Sequence, residues 1–264
     1  MWLSHGLILT LCLAQYLLVK SFLSLGVNFG GAEVRYSLID KNRKLIHTST
    51  TASTSSERGS VKEWNNAMSV IFKDIPNKYR GDLGSVCISG NMGSALIFDT
   101  TTASVTRGPL MSDCNIKDTD LGDEYTEAAT RALKQVKMRA PYRYLSCLPS
   151  SSLTKLVAWH LHRPLMHSER VLHQTDYLTN SILDRTTNPT RVVTDWHNAH
   201  SLGFGASEMR YADMLFEMFG LLKIDPVCLP EAVQPGSIVG TIDPVLAVQF
   251  GLNPSCKVIA GTLH

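Results

Sequence analysis

The run Gly26-Val27-Asn28-Phe29-Gly30-Gly31 reads as a strand entering a glycine turn. Without side chains in the way, the backbone N–H groups of such a turn can approach an anion closely. An ordinary tight hairpin turn has the same spacing, so both readings stay open on the residues alone. A second loop, Gly90-Asn91-Met92-Gly93-Ser94, lies between two apolar runs. Polar groups at a strand end can line a ligand cleft, and a plain loop would look no different. His173-Gln174-Thr175-Asp176 and Thr194-Asp195-Trp196-His197-Asn198-Ala199 are polar islands between apolar segments. Each is a cap with a solvated turn or a ligand-facing loop. His160, His162, His167 and His173 suggest a metal cluster at first sight. Their spacing is not HExxH and fixes no third ligand, which argues against zinc. Neither a GxSxG elbow nor a Walker-type phosphate loop is present.

These groups need a frame. Val27 and Phe29, then Val34, Tyr36 and Leu38, alternate with polar residues, which predicts a β meander from Gly26 to about Thr48 with turns at Gly30-Gly31 and Asp40–Arg43. The Ser/Thr-rich stretch from Thr48 to Ser60 reads as a surface loop. Val61, Trp64, Met68, Ile71 and Phe72 fall at helical spacing and predict an amphipathic helix ending before Pro76. Val86–Ile88 and Ala95–Phe98 read as strands. Tyr125–Val136, Leu153–His160 and Ala212–Leu222 read as helices, the second with a cap among Ser150–Ser152. Tyr177, Ile182 and Leu183 suggest another helix, and Thr194–Ser201 a polar loop. Asp243-Pro244 caps a helix through Phe250, and Lys257–Ala260 is a closing strand. A meander followed by alternating helices and strands indicates an α/β domain with a mixed sheet.

Composition fits that frame. In 264 residues, 44% are apolar and 18% charged, which excludes disorder for most of the chain. A net charge of +2 creates no basic field to gather nucleic acid, so that partner is not expected. The six cysteines form no CxxC pair and read as reduced, mostly buried thiols. Residues 1–25 stand apart as an apolar leader. Leu7–Val19 would serve as a signal-peptide core, and Lys20 stops the run short of a membrane span. A secretory signal, an organelle leader and a non-native extension are all compatible with it.

The order of the pieces is more specific than any one of them. Gly26–Gly31 with Arg35 and Asp40 resembles the first hairpin of the FGGY carbohydrate kinases, written GxDxGTSxxR. Glu63-Trp64 matches the tryptophan that opens their first helix, and Ile88–Ala95 their GQMHGA-type stretch. Pro109-Leu110-Met111 matches PLMYND, and Ser152–Leu156 a small-residue, Leu, Lys-Leu helix. His173-Gln174 with Asp176 resembles HQADW. Thr194-Asp195 with Asn198-Ala199 resembles SDxNNA, Pro235–Gly240 resembles PGTxIG, and Ala260-Gly261-Thr262 resembles AGTTD. The combination looks most like the plant and cyanobacterial ribulokinase/xylulokinase-like branch.

The resemblance implies the N-terminal lobe of an actin-like, RNase H-like ATPase fold over residues 26–264, with the second lobe of the family lying outside it. It implies transfer of the γ-phosphate of ATP to a sugar hydroxyl with Mg²⁺, the sugar being a pentulose such as ribulose or xylulose. Carried over by position, Asn28, Gly30 and Gly31 meet phosphate, with Asn28 at the metal position. Asn91, Met92 and Asp113 meet sugar, and His264 takes the place of the general base. The departures are chemical. Asn28 stands where the family has Asp, Gly31 and Ala32 replace its Thr and Ser, Ser112-Asp113-Cys114 replaces YND, and His264 replaces the Asp of AGTTD. An amide holds Mg²⁺ less well than a carboxylate. A catalytically dead sugar-binding lobe is therefore the alternative to a kinase, and a secreted or membrane-anchored interaction domain led by Leu7–Val19 is a third reading. The resemblance implies a cytoplasmic or plastid location, and self-association through the face that would meet the second lobe.

Overall fold

The structure, a computed structural model, describes residues 22–30, 33–52, 59–90, 93–111, 123–139 and 148–262. Strand β1 (Leu23–Gly30) starts within the stretch read as the end of the leader. Its alternation puts Leu23, Leu25, Val27 and Phe29 on the core face. Strand β2 (Glu33–Ile39) returns antiparallel and buries Val34, Tyr36 and Leu38, as the pattern predicts. Strand β3 (Leu45–Ala52) pairs antiparallel with β2, from Leu45 opposite Ile39 to Ala52 opposite Glu33. This corrects the loop expected from Thr48: the threonines there are β-branched and continue the strand, so hydroxyl content misled the reading.

Helix α1 (Val61–Asp74) follows as expected. The Ser60 hydroxyl accepts from the Glu63 N–H, and the Glu63 carboxylate accepts from the Gly59 N–H, so both sides of the cap are satisfied. Trp64, Met68, Ile71 and Phe72 face the sheet. Each large apolar side chain buried there contributes about 1.5–3 kcal/mol. A short helix α2 (Asn77–Arg80) leads to β4 (Leu83–Gly90), which runs parallel to β1. Strands β5 (Ala95–Asp99) and β6 (Ser104–Leu110) form a hairpin. The second of these was not evident from the residues, because its exposed positions break the alternation. Helices α3 (Asp123–Arg139) and α4 (Ser152–His162) precede β7 (Glu169–His173), which pairs antiparallel with β5. Helix α5 (Gln174–Ser181) starts directly from β7.

The stretch Thr194–Ser201, expected to be a polar loop, is a strand and a helix: β8 (Val193–Asp195) and α6 (Trp196–His200). Asp195, Asn198 and Ser201 are buried and bonded within the stretch, so their polarity does not mark solvent. A small ribbon of β9 (Phe204–Gly205) and β10 (Arg210–Tyr211) leads to α7 (Asp213–Leu222). Strand β11 (Glu231–Val233) pairs parallel with β8. Strand β12 (Ile238–Thr241), helix α8 (Pro244–Phe250, capped by Asp243) and strand β13 (Lys257–Ile259) complete the chain.

The six-stranded sheet has the order β12-β13-β4-β1-β2-β3. At its centre β13, β4 and β1 run parallel, so their carboxyl ends share one edge. Buried Leu96, Phe98 and Leu172 belong to the core of this sheet, while Ala95, Ile97 and Val171 belong to a second core built with α3, α4 and α7. A buried ion pair between Arg107 and Glu169, 3.0 Å apart, pins β6 to β7. Cys87, Cys228 and Cys256 are free thiols, and burial pushes Cys228 and Cys256 up to about 12. Among the described residues no helix is long and apolar enough to cross a membrane.

Candidate functional site

The carboxyl edge of β1, β4 and β13 is where an open α/β sheet receives ligands. Asn28 and Gly30 stand there on β1, with Asn28 opposite Ser89 of β4 and Arg35 of β2. Gly31, Asn91, Met92, Asp113 and His264 lie outside the described residues, so the structure places two of the seven residues expected at the site.

It also shows what surrounds that edge. His173 ends β7 and is fully buried. Its backbone N–H and its Nδ1 both meet Asp176 Oδ2, at 3.0 and 2.7 Å. Its Nε2 lies 2.9 Å from Ser152 Oγ, at the start of α4, and 3.0 Å from Ser201 Oγ, at the end of α6. The Ser201 hydroxyl donates to the Asn198 carbonyl, so it offers His173 only lone pairs. One imidazole thus joins three helix ends. Ser152, His173 and Asp176 stand in nucleophile–base–acid order, and all three are buried. The other described histidines of the suspected cluster are engaged elsewhere: His160 Nε2 with the Leu222 carbonyl, His167 with Asp225, and the His162 ring edge-on against Tyr125.

Asp195 caps α6. Its Oδ1 accepts from the N–H groups of His197 and Asn198, and its Oδ2 from the Asn198 amide at 2.7 Å. Burial, and then the charge of Asp176, push its carboxyl above the usual carboxylate range. The Asn198 amide also donates to Thr175 Oγ1 at 2.8 Å, and His197 Nδ1 lies 2.6 Å from Thr262 Oγ1. Helices α5 and α6 and the segment after β13 are therefore tied together beneath the edge. Two close approaches bring them there. A Cβ on Gly90 would sit 2.9 Å from Gln174 Oε1, and one on Gly261 would overlap the Ile88 carbonyl.

Lys155 is a further residue that sequence reasoning noted only as a motif letter. It is 0% exposed, and its Nζ donates to the carbonyls of Gly93 (2.9 Å), Met111 (2.7 Å) and Leu110 (3.5 Å). A lysine at a buried position of the apolar helix α4 was the available signal, because a buried ammonium requires acceptors.

Among the described residues Mg²⁺ finds no complete set of ligands. Asn28 offers a neutral amide, while Asp176 and Asp195 are engaged by His173 and by α6. Among the described residues no three His, Cys, Asp or Glu side chains converge as a metal group.

No family model matches the sequence. Solved structures do match the fold. A ligand-bound xylulose kinase from Lactobacillus acidophilus superposes with a TM-score of 0.68 at 16% identity, over 91% of this chain and 48% of its own. A xylulose kinase from Rhodospirillum rubrum gives 0.66 at 19%, over 91% and 49%. Plasmodium falciparum glycerol kinase with ADP gives 0.60 at 11%, over 92% and 48%. The chain has a carbohydrate-kinase fold. It is the actin-like, RNase H-like architecture expected from the motif order, and it spans about half the length of each kinase it matches. Within this carbohydrate-kinase fold, the hairpin carrying Asn28 and Gly30, the end of β4 at Gly90 and the Ala260–Thr262 segment share one edge, although they are far apart in sequence.

Proposed function

We propose that this chain is the sugar-binding lobe of an FGGY carbohydrate kinase, acting on a pentulose such as ribulose or xylulose with ATP as phosphate donor. One observation supports the reading: the strand carrying Asn28 and Gly30, the end of β4 and the Ala260–Thr262 segment, parts of three motifs that occur in family order, share the carboxyl edge of β1, β4 and β13, in a fold matched over 91% of the chain. In this reading the β1–β2 turn, with Asn28, Gly30 and Gly31, faces the phosphates of ATP. Asn91, Met92 and Asp113 face the sugar, and His264 stands at the base position, where a neutral imidazole can take the hydroxyl proton. Transfer then depends on holding donor and acceptor oxygens in line. The adenine site belongs to the half of the matched kinases that this chain does not cover. Because the described residues do not assemble a Mg²⁺ site, no step is assigned to the metal.

The neutral Asn28 favours a second reading, a lobe that binds sugar without turnover. Two measurements separate them. In a coupled assay with D-ribulose and D-xylulose, ATP-dependent product formation supports the kinase. Thermal stabilisation by a pentulose with no turnover at high protein concentration supports the binding lobe, and a site filled at 100 times Kd adds about 2.7 kcal/mol. Neither signal with any pentulose refutes both.

By the same family reading the protein resides in the cytoplasm or a plastid, and fractionation that recovers it in a secreted pool contradicts this. Self-association is expected to raise the scattering mass with concentration, and a monomer throughout the titration argues against it.

A further inference from the structure

Between α5, β8 and the segment after β13 lies a small cavity lined by Thr175, Asp176, Thr194, Asp195 and Gly261, with about 10 Å³ open to the centre of a water molecule. That is room for about one water. Thr194 is 1% exposed, and its hydroxyl has no hydrogen-bond partner. Leaving a buried hydroxyl in that state is costly, so native proteins rarely leave one unmet. Asp176 supplies the complementary group: both of its bonds to His173 fall on Oδ2, which leaves Oδ1 outside that pair.

We propose that this cavity is a binding site for a single buried water, which accepts from the Thr194 hydroxyl and donates to the Asp176 carboxylate. The size excludes a sugar or a phosphate. The donor set excludes a bound cation, because Asp195 Oδ1 and Oδ2 already accept three N–H groups and one remaining carboxylate oxygen with hydroxyls does not balance a desolvated ion. The water completes the hydrogen bonding of β8 and braces α5 against the strand that precedes Gly261. The site is independent of the kinase reading, since its test does not use activity.

The test is a crystal structure of the full chain at a resolution that shows ordered water, from crystals soaked in rubidium chloride. The expected result is one peak with the scattering of oxygen, within hydrogen-bond distance of Thr194 Oγ1 and Asp176, and no anomalous signal. Thr194→Ser keeps that peak. Thr194→Val loses it and lowers the thermal midpoint by about 2–4 °C, the shift expected from one lost hydrogen bond in a chain of this size. An empty cavity in the unsubstituted protein overturns the proposal, and so does a rubidium peak. The unsubstituted density decides the matter even if Thr194→Val fails to fold.

Discussion

Lys155 shows how one side chain can hold two segments. Its ammonium is buried against the carbonyls of Gly93 and Met111, which flank the stretches carrying Asn91, Met92 and Asp113 in the sequence. Lys155→Met fills a similar volume and orphans those acceptors, at about 1–3 kcal/mol for each buried group left unmet. Urea unfolding of Lys155→Met should show a loss of about 2–6 kcal/mol for the two carbonyls together, and unchanged stability would mean that they find other donors. A second residue pair makes the stability depend on pH. The Tyr36 hydroxyl donates to Asp74 at 2.8 Å. That bond, and then Ser49, lower the Asp74 carboxyl below its usual value. An acid depressed in the folded state stabilises fully above its unfolded pKa of about 3.9, and the benefit is lost as pH falls through the folded value. Tyr36→Phe should therefore cost about 1 kcal/mol at pH 7, a figure discounted for the exposure of Asp74, and progressively less below about pH 4. A gap between the two proteins that is equal at pH 7 and pH 3 in urea unfolding contradicts this. The alternation that buried Tyr36 was legible in the sequence, whereas its partner 38 residues away was not, because spacing carries no information across elements.

Elements were readable where they were long and one-sided. The stripe of α1 and the alternation of β1 and β2 each repeat several times, so the period declares itself. Strand β8 has three residues and α6 five, too short for any period, and their polar side chains bond inward through Asp195 and Asn198. The Ser/Thr content of β3 pointed to a loop for a related reason: a hydroxyl outside is compatible with either. At this scale the decisive contact is backbone on backbone. Gly261 follows β13 so closely that a methyl group there overlaps the Ile88 carbonyl of β4. Gly26 lies on β1 with nothing within 4 Å of such a methyl. Gly261→Ala should push the Ala260–Thr262 segment from β4, break the His197–Thr262 contact and lower the thermal midpoint. Gly26→Ala should leave the midpoint unchanged or raise it slightly, since alanine loses less backbone entropy on folding. Equal midpoints for the two variants would show that the segment after β13 is not pressed against β4.

The whole molecule is organised around a layer shared by two cores. Along β5, Leu96 and Phe98 pack into the core of the six-stranded sheet, while Ala95 and Ile97 pack into the core made with α3, α4 and α7. Strand β7 divides in the same way at Leu172 and Val171. Period-two geometry makes this sharing unavoidable for a strand buried on both faces, and it accounts for the unbroken apolar run Ala95–Phe98 seen in the sequence. Neither core can lose its packing without stripping one face of the same strands, so the two should unfold together. Leu96→Ala and Ile97→Ala point to opposite sides, and each removes about 2–5 kcal/mol of packing. Both should shift one calorimetric transition downward without splitting it, and hydrogen exchange should report a common opening free energy for the amides of β4 and α4. If Ile97→Ala instead melts α4 in a separate earlier step while β4 stays protected, the shared layer does not couple the cores and the molecule behaves as two folding units.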